Sequence, residues 1–353
     1  MAFLASPPRV QGALSNDTQL ASPPDDSISS LAWSPVEDYL AVGSWDNRVR
    51  IYDITKSTNG VGLAAIDIEG PVLSCHWSRD GQKVVGAGVD KSARILDLGS
   101  NGAPAQQVAA HDAPIRSVRF FEAPNTNASM IVTGSWDRTV KYWDLRSATP
   151  AAQLSFSERV YSLDARKRLL VIATADRQLH LVNLDNWGAI WSTRQSPLKH
   201  QSRVVTCFLD ATGFALGGIE GRVSFQYASQ QDDASKSYSF KCHRDKEVNN
   251  ITNVWTINDI SVHPVHGTFS TCGSEGSFQF WDKERKCRLK EYRDVGGPIS
   301  ATAFNRNGTI FAYAVSYDWS KGYSHNTPNL PNKIMLHPVL ADDCKPRQVI
   351  GRR

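Results

Sequence analysis

Between Ser27 and His337 the chain repeats one phrase about seven times, and the third copy spells it most fully: His111-Asp-Ala-Pro-Ile115, then the run from Ile131 to Leu145 that reads IVTGSWDRTVKYWDL. The same phrase recurs in Leu40 to Ile54, Val84 to Leu98, Leu170 to Leu184, Gly213 to Tyr227, Gly267 to Lys283 and Ile310 to His337. Each copy is an alternating apolar run, a tight turn and a second alternating run. A chain built this way cannot bury any one copy alone, so neighbouring copies must stack and share a core.

A period of two, broken by Gly, Asp and Asn, marks antiparallel strands joined by hairpins. A unit of roughly 40 to 45 residues ending near Trp-Asp resembles the WD-type blade. The likeness rests on three features that recur together: a small residue pair before the turn, an acid in the turn, and an aromatic six residues later. Seven such units imply an all-β, seven-bladed WD-repeat β-propeller. A propeller leaves raw sheet edges unless its ends meet. The last repeat supplies only Ile299 to Phe304, Ile310 to Ser316 and Lys333 to His337, so its outermost strand is expected from Asp17 to Ala21.

The turn acid has a structural task. Trp143 donates only through its indole N–H, so burying it demands an acceptor, and Thr133, Asp137 and His111 form a relay that satisfies it. Other copies keep parts of this set: Asp46 with Tyr52, Asp90 with Leu96, Asp176 with Val182, Glu220 with Gln226, and Thr271, Glu275 and Trp281 in the sixth. The set reads as scaffold, with no catalytic residue. No HExxH site, P-loop or Gly-x-Ser-x-Gly elbow is present, and no cofactor, metal or small-molecule substrate is expected.

The 353 residues are 41% apolar and 21% charged, enough for one large closed core. Residues 1–16 and 341–353 are expected to be a flexible extension and a flexible basic tail around a propeller spanning 17–340. No apolar run reaches membrane-spanning length and no secretory signal is evident, so a soluble intracellular protein with reduced cysteines is expected. A net charge of +4 permits nucleic-acid contact without arguing for it.

In a four-stranded antiparallel blade, the turn between the second and third strands and the loop leading into the next blade emerge on one face. Two adjacent blades carry surplus sequence there. The loop into blade six runs from Cys242 to Asn253, with Trp255 just beyond, and the blade-seven hairpin opens from Tyr317 to Asn332. A hairpin needs only a few residues, so a segment holding Asp318, Trp319, Lys321 and Tyr323 is surplus to folding. Aromatic and cationic side chains on such loops suit an acidic, partly apolar partner, with Arg244 available for a bidentate contact to a carboxylate.

The runs His111 to Ile115, Ser196 to Gln201, Gly213 to Val223, Phe240 to Arg244, His263 to Gly267 and Ser316 to Gly322 resemble the Rae/Gle family of WD-repeat mRNA export factors. The resemblance implies a nuclear-pore adaptor that binds the acidic GLEBS segment of a GLFG-repeat nucleoporin, in the nucleus, pore and envelope with a cytoplasmic fraction. It also implies support of mRNA export, with weak, salt-dependent RNA contact. On that basis Arg244 pairs with a ligand carboxylate, Trp319 lines an apolar pocket and Lys321 supplies a second cation. The mitotic-checkpoint Bub-type propeller, which holds GLEBS-like segments of checkpoint kinases, is the alternative. It shares much of Phe240 to Arg244 and is not expected to carry the loop Asp318 to Gly322.

Overall fold

The alternating runs become strands whose apolar faces pack blade against blade. A computed structural model describes residues 11–100, 102–123 and 128–347. Among the described residues, 28 strands form seven four-stranded antiparallel sheets. Blade one is Ile28–Trp33, Tyr39–Ser44, Arg48–Asp53 and Val61–Asp67, and the next five follow in simple chain order. Blade seven is Ile299–Phe304, Ile310–Val315 and Lys333–Pro338, completed by Thr18–Gln19 from the start of the chain. The expected closure from Asp17 to Ala21 is borne out, with a hydrogen-bonded strand shorter than that segment.

Three interactions hold the closing strand. Thr18 pairs with Leu336 and Gln19 with Met335. The Leu20 amide donates to the Ile334 carbonyl at 2.9 Å, and its side chain is buried among Ile28, Ala312 and Leu336. The Asp17 side chain, 2% exposed, accepts from the Tyr313 hydroxyl at 2.6 Å and meets His337 Nδ1 at 2.6 Å.

The first strand of each blade has no ladder partner on its channel side, so its amides need other acceptors. Neighbouring blades supply them. The amides of Cys75, Val118 and Val205 donate to the hydroxyls of Ser30, Ser74 and Ser162 at 3.0–3.2 Å. Those of Cys207 and Thr302 donate to the carboxylates of Asp164 and Asp259 at 2.8 Å. Each blade also carries a bulge at the top of this strand, which leaves Ser29, Leu73, Arg116, Tyr161, Arg203, Asn258 and Ser300 out of register. A bulge re-aims the extra side chain and twists its strand, and here the seven residues ring the mouth of the channel.

The relay in blade three is complete. Trp143 Nε1 donates to Thr133 Oγ1 at 2.9 Å, Thr133 Oγ1 lies 2.7 Å from His111 Nε2, and His111 Nδ1 lies 2.8 Å from Asp137. The set needs a neutral imidazole that accepts at Nε2 and donates at Nδ1. Burial favours that state by pushing the His111 pKa down. Where the aromatic donor is missing, the turn acid takes other partners: Asp46 pairs with Arg50 at 2.5 Å and Asp90 with Arg94 at 2.6 Å. The residue after the turn acid is left-handed in all seven blades, at Asn47, Lys91, Arg138, Arg177, Gly221, Gly276 and Trp319.

Part of each end segment packs against the ring. The Gly12 amide donates to the Glu291 carbonyl at 2.8 Å, and Leu14 packs beside the blade-six and blade-seven core. At the other end Ala341–Cys344 is a helical turn whose Asp343 is buried against Tyr292 at 2.9 Å and Lys290 at 2.5 Å. Both contacts are made by one buried carboxylate, which docks this turn on blade six. The rest of both expected segments lies outside the described residues. No helix among the described residues is long and apolar enough to cross a membrane.

Two predictions follow from the core. Asp17→Ala strands His337 and Tyr313 and loosens the closing strand, so it should cost about 2–4 kcal/mol in urea unfolding. An unchanged midpoint would show that closure does not depend on this carboxylate. For pH, burial and then the neighbouring His266 push His263 down to about 4, against about 6.5 in an unfolded chain. The folded state therefore binds fewer protons below pH ~6.5, and the His263 contribution is whole above that pH and lost as pH falls toward about 4. Burial raises Asp259 to about 6, which offsets part of that loss. His263→Gln should accordingly show a shallower stability loss than the unsubstituted chain between pH 7.5 and 5, by on the order of 1–2 kcal/mol. Identical slopes would contradict a neutral buried imidazole.

Candidate functional site

The loop into blade six is fixed by a second relay. His243 Nδ1 lies 2.5 Å from Glu275, its Nε2 lies 2.7 Å from Thr271 Oγ1, and Trp281 Nε1 donates to Thr271 Oγ1 at 3.0 Å. Burial alone would raise the Glu275 carboxyl, yet His243 and Ser277 hold it below its ordinary range. Beyond His243 the loop doubles back on itself: the Asp245 amide donates to Asn253 at 3.1 Å and the Trp255 amide to His243 at 3.0 Å. Its tip exposes Val248 and Ile251.

Arg244 sits at the root of this loop and is half-buried. Its guanidinium donates from Nη2 to the Glu220 carbonyl at 2.5 Å and from Nε to Gly221 at 3.3 Å. These bonds latch the loop onto the blade-five hairpin and leave Nη1 as the donor available to a ligand.

The blade-seven loop is held from both ends. Asn332 Nδ2 donates to the carbonyls of Pro24 and Asp26 at 2.7 and 2.9 Å, and Tyr317 donates to Gly322 at 2.8 Å. Asp318 is buried. It accepts from the Ser274 hydroxyl, from Asn258 Nδ2 at 3.0 Å and from the Ser320 amide at 3.1 Å. Burial would raise this carboxyl, but those three donors hold it below its ordinary value. Trp319 takes φ 61° and stacks on Trp45, with centroids 3.9 Å apart and planes at 18°.

The two loops enclose a cleft of about 520 Å³ lined by Arg244, Trp255, Tyr317 and Lys321. Lys321 is exposed, Tyr323 is 85% exposed on a short 3-10 turn, and the Trp255 indole N–H is buried without an acceptor. Asp318 and Trp319 instead line the neighbouring channel mouth, a cavity of about 440 Å³, and Tyr317 borders both. So the structure gathers Arg244, Trp255 and Lys321 around one cleft, leaves Tyr323 at its outer edge, and separates Asp318 and Trp319 from it. Asp318 is a staple held by three donors, and Trp319 is half-buried against Trp45. Burying an indole on a partner indole is favourable, which is what draws it inward.

Sequence reasoning missed Trp45, Trp136 and Tyr317 at the channel mouth. A signal was present: three copies read Ser44-Trp45-Asp46, Ser135-Trp136-Asp137 and Ser316-Tyr317-Asp318, placing an aromatic ring directly before the turn acid, where the other four carry small or aliphatic residues. Among the described residues no group of three or more His, Cys, Asp or Glu could hold a metal ion.

Residues 18–53, 66–97 and 102–144 match the family "WD domain, G-beta repeat". The chain is 56% identical over 346 residues to the mRNA export factor GLE2 of Chaetomium thermophilum, covering 97% of this chain and 96% of that protein. It is 51% identical over 343 residues to the poly(A)+ RNA export protein of Schizosaccharomyces pombe, covering 97% and 96%. It is 41% identical over 339 residues to protein Rae1 of Drosophila melanogaster, covering 94% and 96%.

Asp318→Ala leaves the Ser274 hydroxyl without its acceptor and the Asn258 amide with the Ile299 carbonyl in place of two good acceptors, and should cost about 2–3 kcal/mol. Hydrogen exchange should speed up at residues 317–322. Unaltered exchange there would refute the staple.

Proposed function

Because the chain belongs to the Rae/Gle family of WD-repeat mRNA export factors, we propose that it is a non-enzymatic adaptor of nuclear mRNA export whose loop face holds an acidic GLEBS-type segment of a GLFG-repeat nucleoporin. On this reading it works in the nucleus and at the nuclear pore. The observation that carries the proposal is the convergence of the two long loops on one cleft, where Arg244 and Lys321 flank the half-buried Trp255. The cleft's own acids Glu275 and Glu291 are engaged by His243 and Arg293, which leaves Arg244 and Lys321 for the acids of a glutamate-rich segment. Its carboxylates meet Lys321 and the remaining Arg244 donor, a backbone carbonyl or side-chain oxygen accepts from Trp255 Nε1, and its apolar residues cover the exposed Tyr323 ring.

The arrangement favours specificity over raw strength. Lys321 at the solvent edge speeds encounter with an acidic chain, whereas the more buried Arg244 and Trp255 govern how long it stays. RNA contact fits the same reading as a weaker, strongly salt-dependent association through the modest positive charge.

Calorimetry with a synthetic GLEBS-type peptide tests the proposal. The double variant Arg244→Glu, Lys321→Glu, checked for its fold by circular dichroism, should bind at least about tenfold more weakly. Equal affinity in the folded variant would remove this cleft as the docking site.

A further inference from the structure

Across the channel mouth from the blade-six and blade-seven loops, blades three to five build a second polar site. Its origin is the ring of bulges. Ser29, Asn258 and Ser300 are small or neutral, but Arg116 and Arg203 occupy the bulge positions of blades three and five, with Tyr161 between them in blade four. Bulging turns both guanidiniums toward the channel rather than onto a strand face. They line one pocket of about 230 Å³ with Trp136, Arg159, Tyr161 and Ser202.

The electrostatics of this pocket are unbalanced. Three arginines line it and no carboxylate does. Arg116 Nη1 donates to the Leu73 carbonyl at 3.2 Å, and Arg203 Nη2 to the Asp318 carbonyl at 3.2 Å, so both find neutral backbone acceptors. The nearest acid to Arg159, Glu158, stands 3.9 Å away. Burial, reinforced by Arg203 and Arg119, pulls Arg116 down to about 10, a cost that a countercharge would relieve. Three buried groups lining the same pocket have no partner: the Trp136 indole N–H, the Ser202 hydroxyl and Arg203 Nε. Unspent donors in the wall of a cationic pocket are groups that an oxyanion would satisfy, since buried polar groups are ordinarily satisfied.

We propose that Arg116, Arg203 and Arg159, with Trp136 and Ser202, bind the phosphate group of a small phosphorylated ligand at the mouth of the channel. Three cations without a carboxylate suit a dianion better than a single carboxylate. The tetrahedral oxygens of a phosphate reach fork-shaped guanidiniums, an indole N–H and a hydroxyl at once. The pocket has room for a phosphate and part of its carrier, and adjoins the 440 Å³ channel mouth, where Trp136, Trp45 and Trp319 offer aromatic surface for the rest of the molecule.

Calorimetry and thermal unfolding of the full chain test this at fixed ionic strength, with inorganic phosphate and a nucleoside monophosphate as probes and glutamate as the carboxylate control. Saturable one-to-one binding of inorganic phosphate is expected, with a rise in melting temperature of a few degrees at saturation. Arg116→Gln and Arg203→Gln should each weaken it about tenfold or more. By removing a buried charge that Asp259 or Asp318 compensates only in part, each should also leave the phosphate-free melting temperature unchanged or higher. Tighter binding of the nucleoside monophosphate would place the ligand body on the indoles, and equal binding would confine recognition to the phosphate; both support the site. No saturable phosphate binding, equal binding by both folded variants, or glutamate binding as tightly as phosphate would each overturn it.

Discussion

Everything in this molecule depends on blade seven being completed from the start of the chain. Left with three strands, that blade would have a gap along Lys333–Pro338, where a row of amides and carbonyls stands unpaired. The chain removes it by sending Thr18–Gln19 back to pair with Lys333–Pro338. Asp17 then ties the strand to two buried side chains of blade seven. The seam is reinforced between blades one and seven: the Ile28 amide donates to Ser316 at 2.9 Å and Trp33 Nε1 to Ala303 at 3.0 Å. Because Ser316 opens the long blade-seven loop, closure and loop placement are one problem. Asn332, at the other end of that loop, is bonded to Pro24 and Asp26 of the same entering segment.

That coupling explains how a loop far longer than a hairpin requires is kept in shape without secondary structure. Its fixed points are Asp318 underneath, Trp319 against Trp45, and the Asn332 bracket. The loop into blade six solves the same problem differently, by extending a relay that already holds a blade together. His243 satisfies a buried tryptophan through Thr271 and at the same time pins the residue before Arg244. Structural hydrogen bonds inside the blades thus set the position of side chains at the surface, and the cleft between blades six and seven inherits the rigidity of the ring.

Much of this was legible in the sequence because one constraint repeats. Period-two runs, a turn acid and a buried indole fix hairpins and their neighbours, so blade number, the closing strand and the relay of His111, Thr133, Asp137 and Trp143 follow from pattern and hydrogen-bond accounting. His243 escaped the same reasoning because the loop insertion stretches its offset: 32 residues separate it from Glu275, against 26 between His111 and Asp137. The fates of Asp318 and Trp319 were hidden for another reason, since each depends on a partner far away in the chain, Asn258 and Trp45. Arg116 and Arg203 were hidden by the bulges, which break the alternation that assigns a side chain to a face. The helical turn at Ala341–Cys344 was not legible from composition, because a single buried carboxylate, Asp343, decides its docking.

A rigid ring presenting two cooperating loops makes a specific claim about where an acidic partner segment rests. Hydrogen–deuterium exchange of the full chain, with and without a GLEBS-type peptide, tests it most directly. The account predicts that the largest gain in protection falls on residues 242–256 and 317–332, with the channel-lining strands unaltered. Protection concentrated on the opposite face of the disc, with both loops exchanging as before, would contradict it.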